Sequence, residues 1–327
     1  MATKVEHVDF WGWRGLSLST ARVSLVVAPE VGGRIVSLKL DGVETLFSMQ
    51  ELRGRRIDLS RITDVRRKKR ELGWLHYGGY KTWLAPQENW TDGLPFLDLD
   101  SGSYELAVEE NPEGAVVRVT SPVCRETGMQ LTREISLSGN GRLIVGQAMI
   151  NQSAQAVKWG LWDVTQVRGP GIAVFPVANS SRFEGGLKAY AGEGRSPEVV
   201  DRYVRLSEGL ATVTCQQIEP FKYGTDSMEG WILGLLDLGG DHWLALLKVY
   251  EPIPRATYPH ETTAEVYDAG SHPYFELEVH SPVMTLAPGA THGYAETWLL
   301  DWLTKSSGAQ DLRGWVKKTI HGDIKKN

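Results

Sequence analysis

Short apolar runs that end at glycine- or proline-containing turns recur along almost the whole chain. The Asp41-Gly42 pair lies between two such runs and is a strong hairpin signal. Helical periodicity is nearly absent outside residues 309–320, where Asp311 and the Lys317-Lys318 pair suit the two helix ends. The pattern predicts an all-β sandwich or barrel with a short C-terminal helix. Its predicted strands are 23–27, 34–40, 43–47, 115–120, 131–137, 143–150, 231–238, 243–250, 275–279 and 295–300.

No internal repeat and no low-complexity linker divides the 327 residues, so we expect one domain over residues 1–327. The formal net charge is -5, which argues against nucleic acid as the main partner. The first fifteen residues have no signal-peptide core, and no run approaches the roughly 20 apolar residues of a membrane span. We therefore expect a cytoplasmic protein with no membrane partner, and its oligomeric state stays open.

The chain has two cysteines, Cys124 and Cys215, too few for a disulfide framework. We expect two reduced, buried thiols, with a single disulfide as the alternative. Residues 53–70 carry nine Lys or Arg side chains against only Asp58 and Asp64. A solvated loop or hairpin explains this segment, and a basic lip that attracts an anionic sugar is the sharper interpretation.

Residues 274–282 hold the first candidate for chemistry. Because side chains alternate along a strand, Glu276, Glu278 and His280 share one face, about 7 Å between neighbours, and Phe275, Leu277 and Val279 share the other. Like charges so close raise at least one carboxyl pKa, which suits acid–base catalysis. A solvated strand face would show the same alternation, and a metal site is a further alternative. No second ligand cluster supports a metal, so we predict no metal and no cofactor.

Residues 75–90 hold the second candidate. Gly78-Gly79 allows the backbone to bend, and it precedes Lys81, Trp83, Gln87 and Trp90. Flat apolar rings mixed with polar groups are typical of a sugar site, although a structural Gly-Gly turn with buried tryptophans is the alternative. The chain has 12 Trp, and the sugar-site interpretation assigns part of them to ligand stacking.

Two shorter stretches complete the candidates. In residues 159–166, Trp162 and Asp163 face opposite ways if the backbone is extended, and Asp163 among aromatic residues needs a hydrogen-bond partner. A structural partner and a ligand hydroxyl satisfy that need equally well. His260 lies in a predicted turn and is either structural or part of a ligand site.

These stretches, with Pro29-Glu30-Val31-Gly32-Gly33-Arg34-Ile35 near the start, resemble the galactose mutarotase-like superfamily. The likeness is nearest to a bacterial group of mutarotase-like proteins and runs from about Val23 to Leu300. It includes the Gly-Gly-x-Lys-x-Trp-x-Ala-Pro segment, the Glu-Leu-Glu-Val strand and Glu296-Thr297-Trp298. The resemblance implies a large antiparallel β-supersandwich with a ligand on the concave face of one sheet.

The resemblance also implies a mechanism. Aldose 1-epimerases use a Glu as base on the anomeric hydroxyl and a His as acid on the ring oxygen. Glu276 or Glu278 best matches that Glu. The family's His-Gly-Gly is Tyr77-Gly78-Gly79 here, with His76 one residue earlier, and its Asn-His-(Ser/Thr)-Tyr is replaced by the residues from Asp163 to Gln166. Both usual histidines are missing at the matched positions, and a one-residue offset on a strand would turn His76 to the other face.

We therefore predict a sugar isomerase of the mutarotase or epimerase type that acts on a carbohydrate-like small molecule. Glu276 or Glu278 is the predicted base, with Lys81, His280 or His260 as the acid. Trp83, Trp90 and Trp162 are predicted to stack on the ligand, and Gln87, Asp163 and His76 to contact it. A sugar-binding or sensing protein without chemistry, and a lyase or cyclase on the same scaffold, are the alternatives.

Overall fold

The computed structural model describes residues 3–111, 114–190, 202–306 and 308–324. Antiparallel strands dominate the chain from its start to the C-terminal helix. The strands are β1 (Lys4–Phe10), β2 (Trp13–Ser19), β3 (Val23–Ala28), β4 (Arg34–Leu40), β5 (Val43–Glu44), β6 (Tyr80–Ala85), β7 (Glu105–Asn111), β8 (Gly114–Thr120), β9 (Met129–Leu137), β10 (Leu143–Asn151), β11 (Val157–Arg168), β12 (Gly171–Pro176), β13 (Lys188–Ala189), β14 (Val204–Ser207), β15 (Leu210–Cys215), β16 (Phe221–Thr225), β17 (Trp231–Asp237), β18 (His242–Tyr250), β19 (Ala264–Asp268), β20 (Tyr274–His280), β21 (Met284–Leu286) and β22 (Thr291–Thr304).

Helices are few and short, except at the end of the chain. The α-helices are α1 (Val65–Leu72), α2 (Leu97–Asp100) and α3 (Ala309–Ile324). Single 3-10 turns lie at Gln50–Leu52, Leu59–Arg61, Gln87–Asn89, Thr91–Gly93, Glu184–Gly186 and Pro259–Glu261. The ten predicted strands are confirmed, although the run at 43–47 forms only the two-residue β5. The predicted C-terminal helix is also confirmed and extends four residues further than expected.

The strands form two large sheets. One sheet, which we name the site sheet, has the order β1-β2-β3-β4-β6-β11-β20-β19-β16-β13. Two further strands belong to it: β5 pairs with β4, and β21 pairs with β11. The other, the back sheet, has the order β14-β15-β12-β17-β18-β22-β10-β9-β8-β7. All pairings recorded between these strands are antiparallel, which confirms the predicted antiparallel sandwich.

The two sheets pack face to face, and residues of both build the main apolar core. In β9 the buried and less buried positions alternate, so one face of this strand enters the core. Leu277 of β20 packs against Gly234 of β17, where an added methyl group would lie 2.8 Å from the leucine. Each fully buried aliphatic side chain contributes ~1.5–3 kcal/mol to folding. Cys124 and Cys215 are free and buried, as predicted.

A polar network crosses the apolar core between the sheets. Lys248 of β18 is fully buried, and its Nζ lies 2.6 Å from Asp163 Oδ1 and 3.2 Å from Glu296 Oε2. The Lys248 ammonium also donates to Thr165 Oγ1 at 3.0 Å. Asp163 therefore faces the back sheet. The prediction that Asp163 contacts ligand hydroxyls is wrong, because its carboxylate points into the core and pairs there with the buried Lys248.

The basic segment contains helix α1 rather than a hairpin. Asp64 begins the helix by accepting a hydrogen bond from the Arg67 backbone N–H at 2.9 Å. The buried Lys69 pairs with Glu126 at 3.1 Å, and Arg70 pairs with Asp92 at 3.0 Å. Local carboxylates thus neutralise much of the positive charge that suggested an anion-binding lip.

Helix α3 packs on the outer face of the back sheet. Leu312 and Val316 are buried there against Trp231, Leu233 and Leu247. No helix in the described ranges is long and apolar enough to cross a bilayer.

Candidate functional site

A cavity of about 360 Å³ opens on the face of the site sheet that points away from the back sheet. Its floor comes from β6, β11, β20, β19 and β16, which are consecutive neighbours in the sheet. The volume lies within the ~300–1,000 Å³ range of small-molecule sites. The lining residues are Trp74, His76, Lys81, Trp83, Gln87, Trp162, Gln166, Lys222, Tyr267, Tyr274, Glu276 and Glu278.

Strand β20 provides the two carboxylates of the cavity. Glu276 pairs with Gln166 of β11, Glu278 with Val164, and His280 with Trp162, so the three polar side chains share one face. This alternation confirms the shared face that the sequence predicted. Phe275, Leu277 and Val279 point the other way, into the core.

Glu276 is the more accessible of the two carboxylates. Its side chain is 7% exposed, whereas Glu278 is fully buried. The Gln166 amide donates to Glu276 Oε1 at 2.7 Å. Among the described residues nothing donates to the second oxygen, Oε2. One oxygen is thus fixed in place, while the other is free to accept a proton from a ligand.

Glu278 shares a cation with another buried carboxylate, Glu265 of β19. Lys222 Nζ lies 2.7 Å from Glu278 Oε2 and 2.6 Å from Glu265 Oε2. Burial, followed by the nearby negative charges, raises the pKa of Glu278 well above its usual range, although Lys222 opposes the shift. Trp162 Nε1 also donates to Oε2 at 2.7 Å, and Glu278 Oε1 is buried with no hydrogen-bond partner among the described residues. This arrangement favours a proton on Glu278.

Glu265 is the ionised member of the pair. Burial alone would raise its pKa, but Lys222 and the hydrogen bond from His260 outweigh burial and hold that pKa well below the usual range. Tyr190 and Thr262 donate to the same oxygen, Oε1. The pKa of Lys222 is raised in turn, because the Glu265 charge and the contact with Glu278 together outweigh the effect of burial. Lys222 is therefore a fixed ammonium group.

His280 lies behind Trp162 and does not line the cavity. Its Nδ1 donates to the Thr262 backbone carbonyl at 2.9 Å, and burial lowers its pKa to about 3, so the ring is neutral. His260 also contacts Trp162, with 5.0 Å between ring centroids. The predicted ligand-facing positions of His260 and His280 are therefore wrong, because the Trp162 indole separates both rings from the cavity.

Within the described residues, one group of side chains brings three metal-ligating atoms close together. The ligand atoms of His260, Glu265 and His280 lie within 4.8 Å of one another. Glu265 Oε2 already has the Lys222 ammonium at 2.6 Å, and its Oε1 accepts hydrogen bonds from three side chains. A divalent cation there would have to displace Lys222, so this donor set fits a metal poorly.

Lys81 of β6 enters the cavity, and no carboxylate of the described ranges forms an ion pair with it. Its Nζ lies 4.2 Å from the centroid of the Trp83 ring, and no hydrogen bond or ion pair to it exists in the described part of the chain. Burial lowers the pKa of Lys81 to about 8, although the Glu276 charge opposes this shift. Val164 of β11 pairs with Lys81 of β6 on one side and with Glu278 of β20 on the other.

Gly78 and Gly79 bend the chain just before β6. Both have positive φ, 91° and 72°, and an added Cβ would lie 2.2 Å from the carbonyl oxygens of Phe47 and Ile35 respectively. Only glycine fits such close approaches. The predicted Gly-Gly bend is confirmed, and it sets the register that turns Lys81 and Trp83 to the cavity.

Gly32 and Arg34, near the start of the chain, help to hold Trp83 in position through Asp100. Arg34 is fully buried and pairs with Asp100 at 2.8 Å. The same Asp100 oxygen accepts a hydrogen bond from Trp83 Nε1 at 2.8 Å. Gly32 approaches Asp100 closely, since an added Cβ would lie 2.1 Å from its backbone oxygen. These contacts fix the plane of the Trp83 indole.

Indole rings form one wall of the cavity. Trp83 contacts Trp162 at 5.0 Å and Trp74 at 5.8 Å between ring centroids. Trp90 packs behind them, and its Nε1 donates to the Leu84 carbonyl at 2.7 Å. Trp90 therefore supports the wall, and the expectation that it touches the ligand is wrong in placement.

His76 and Gln87 also reach the cavity. His76 lies in an irregular segment between α1 and β6, so the alternation argument that turned it away does not apply. Burial lowers the pKa of His76, and its Nδ1 lies 3.5 Å from the Tyr274 hydroxyl. Gln87 reaches the cavity from the 3-10 turn after β6.

Sequence reasoning missed several groups of the cavity, above all Lys222, Gln166, Tyr267, Tyr274 and Trp74. Gln166 and Tyr274 could have been found, because Gln166 lies four residues after Trp162 and Tyr274 two residues before Glu276, each on the same strand face as that candidate. Lys222 and Tyr267 come from strands whose neighbours the sequence does not reveal. Trp74 reaches the cavity from the segment that follows α1.

No protein-family model matches this sequence, and no curated protein does. Solved structures share its fold. A galactose mutarotase-like protein from Lactobacillus casei has a TM-score of 0.54 at 12% identity, over 88% of this chain and 100% of that protein. A candidate aldose 1-epimerase from Escherichia coli has a TM-score of 0.53 at 12% identity, over 92% of this chain and 100% of that protein.

A TPR-domain containing protein from Parabacteroides distasonis also shares the fold, with a TM-score of 0.56 at 16% identity over 91% of this chain. The match covers 49% of that protein, so the present chain spans about half its length. At these identities the likeness shows the fold.

Proposed function

We propose that this chain, which has the galactose mutarotase-like fold, is a sugar isomerase that interconverts the anomers of an aldose or aldose derivative by acid–base catalysis. The supporting observation is that the Glu276 carboxylate and the Lys81 amine line the same cavity as three indole rings. A carboxylate and an ammonium group can remove one proton and supply another. Indole rings provide the flat apolar surfaces on which sugar rings stack.

Glu276 is the proposed base. Gln166 holds one of its oxygens, and the other can take the proton from the anomeric hydroxyl. The electron pair left on the anomeric oxygen forms the carbonyl group at C1, and the bond between C1 and the ring oxygen breaks. The ring oxygen then needs a proton.

Lys81 is the proposed acid. With a pKa of about 8, it is mostly protonated at neutral pH and yet gives up its proton readily. A pKa near the working pH is the most effective for proton transfer. Rotation about the bond between C1 and C2, followed by the reverse steps, closes the ring with inverted C1. Glu278, held in its protonated form, can supply hydrogen bonds to the same ligand.

The test starts from ligand binding. Free and phosphorylated aldoses are screened by thermal shift and by tryptophan fluorescence, because Trp74, Trp83 and Trp162 line the cavity. Anomer exchange of each binding sugar is then measured by NMR. We expect enhanced exchange that Glu276→Gln and Lys81→Met each reduce by roughly 10²–10⁴-fold.

Two matched variants control for the loss of a surface charge. Glu251→Gln changes an exposed glutamate, and Lys318→Met changes an exposed lysine of α3. Both should keep the exchange rate of the unmodified protein. Full exchange in a Glu276→Gln, Lys81→Met double variant would show that these side chains do not carry the reaction.

A sugar-binding protein without chemistry is the second candidate. It is favoured by the absence of both family histidines at the matched positions, where Tyr77 and Val164 stand instead. This function predicts saturable fluorescence changes with a sugar whose anomers exchange no faster than in buffer.

A further inference from the structure

We propose that Lys81 is also an amine nucleophile, and that it binds the carbonyl group of an open-chain sugar or other small aldehyde as an imine. The proposal concerns a covalent site in the cavity where the ligand would otherwise be held only by noncovalent contacts. It depends on the proposed function for one step only, the supply of an open-chain sugar by ring opening. A small aldehyde that cannot form a ring needs no such supply.

The surroundings of Lys81 are those of a reactive amine. Its side chain is 4% exposed, its Nζ lies over the Trp83 ring, and no carboxylate oxygen is within ion-pair distance among the described residues. A lysine that is desolvated against an apolar wall has a lowered pKa and a larger neutral fraction at physiological pH. The pKa of about 8 agrees with this geometry.

Lys222 provides a comparison within the same cavity. Its Nζ lies 2.6 Å from Glu265 Oε2 and 2.7 Å from Glu278 Oε2, and the Glu265 charge together with the Glu278 contact keeps it protonated. An ammonium group has no lone pair with which to attack carbon. The cavity therefore contains one lysine suited to nucleophilic attack and one that serves as a fixed cation.

The chemistry follows from the ring-opening step. When Lys81 gives its proton to the ring oxygen and Glu276 takes one from the anomeric hydroxyl, the products are a neutral amine, a protonated carboxyl group and an aldehyde. The amine lone pair attacks C1, and the carbonyl oxygen takes the proton from Glu276. One N–H proton returns to the Glu276 carboxylate.

Dehydration completes the imine. Glu276 protonates the hydroxyl on C1, which leaves as water, while the nitrogen lone pair forms the C=N bond. The overall change converts the amine, the aldehyde and protonated Glu276 into a protonated imine, water and the Glu276 carboxylate.

The experiment traps the imine on the full-length protein. The protein is incubated with glycolaldehyde and sodium cyanoborohydride, which reduces an imine to a stable secondary amine, and labelling of each lysine is followed by peptide mass spectrometry. We expect Lys81 to be labelled at least roughly tenfold faster than the exposed Lys318 near pH 7.5, because a pKa of about 8 leaves a substantial part of Lys81 neutral at that pH. Lys222 should stay essentially unlabelled.

Three further results decide the proposal. Labelling of Lys81 should level off above about pH 8. Denaturation in urea should abolish the preference for Lys81, and Lys81→Arg should leave the labelling of Lys318 unchanged. Equal rates for Lys81 and Lys318, or faster labelling of Lys222, would overturn the proposal.

The outcome is separable from that of the proposed function. Glycolaldehyde has too few carbon atoms to form a sugar ring, so its trapping does not depend on anomer exchange. Fast labelling of Lys81 without sugar exchange would support the nucleophile and contradict the isomerase. Sugar exchange without preferred labelling of Lys81 would support the isomerase and contradict the nucleophile.

Discussion

Two lysines line one cavity, and their surroundings give them opposite properties. Lys222 lies between Glu265 and Glu278, which raise its pKa, while Lys81 lies against an indole, and burial lowers its pKa to about 8. A buried ammonium group without a carboxylate partner costs stability. The fold tolerates that cost at Lys81, a position where a protein selected for stability alone would carry an apolar side chain.

Lys81→Met should therefore stabilise the protein at neutral pH. The pKa of Lys81 is about 8 in the folded state and 10.5 when unperturbed, so the unfolded chain binds more protons between these values. Stability of the unmodified protein then rises with pH across that window, and the variant lacks this contribution. We expect the variant to gain about 1–3 kcal/mol in free energy of unfolding at pH 7.

Urea unfolding at pH 7 and pH 9.5 measures this gain, with Lys318→Met as the control. The advantage of Lys81→Met should shrink at the higher pH, where Lys81 is already neutral in the folded protein. A variant that is less stable than the unmodified protein at pH 7 would contradict the unpaired, desolvated environment of Lys81.

The sequence located some single residues of the site well and others not at all. Alternation along one strand correctly placed Glu276 and Glu278 on a shared face, because strand geometry is local. Lys222 came from a different part of the chain, and its position depends on which strands are neighbours in the sheet. His280 was placed on the correct face, but its separation from the cavity depends on the Trp162 ring beside it.

At the scale of elements, the sequence predicted the backbone bend before β6 but not helix α1. The Gly-Gly bend before β6 could be predicted because only glycine adopts positive φ freely. Helix α1 was missed because it is short and has only two apolar side chains, Val65 and Leu72, among its eight residues. Its N-cap Asp64 and the Gly73 after its last residue were the signals that could have identified it.

Gly79→Ala should disturb the site by displacing strand β6, not by removing a contact with the ligand. The new Cβ would lie 2.2 Å from the Ile35 carbonyl oxygen, so β6 would have to move away from β4. We expect a loss of roughly 2–5 kcal/mol in free energy of unfolding, from backbone strain and steric overlap together.

Gly239→Ala is the matched control for that change. Gly239 has a similarly positive φ of 84°, but no atom of the described part of the chain lies within 4 Å of an added Cβ. It should therefore show backbone strain alone, about 1–2 kcal/mol. Equal losses for the two variants in urea unfolding would indicate that the close approach of Gly79 to β4 has no role.

For the whole molecule, the two faces of the site sheet have separate tasks. The outward face has the cavity, and the inward face packs on the back sheet through an apolar core that also contains Lys248, Asp163 and Glu296. The sequence could predict that Asp163 and Trp162 point in opposite directions. It could not tell which direction leads to the ligand, because that depends on where the back sheet lies.

Lys248→Met should weaken the joint between the sheets in a manner that depends on pH. Burial raises the pKa of Asp163 to about 6, against the opposing effect of Lys248, so the folded protein binds more protons than the unfolded chain between about pH 4 and 6. Near pH 8 the variant must keep Asp163 and Glu296 without their cation, or protonate them at a cost. We expect a loss of about 3–5 kcal/mol in free energy of unfolding at pH 8.

The loss should be clearly smaller near pH 5, where a protonated Asp163 no longer needs a cation. Lys158→Met, which removes an exposed lysine from β11 itself, should cost little at either pH. Equal losses for Lys248→Met at both pH values would mean that packing of the lysine stem, not its charge, joins the sheets. Because Lys248 lies on the inward side, the folded variant should still show the cavity's reactivity at Lys81, which separates the support of the sandwich from the chemistry of its outer face.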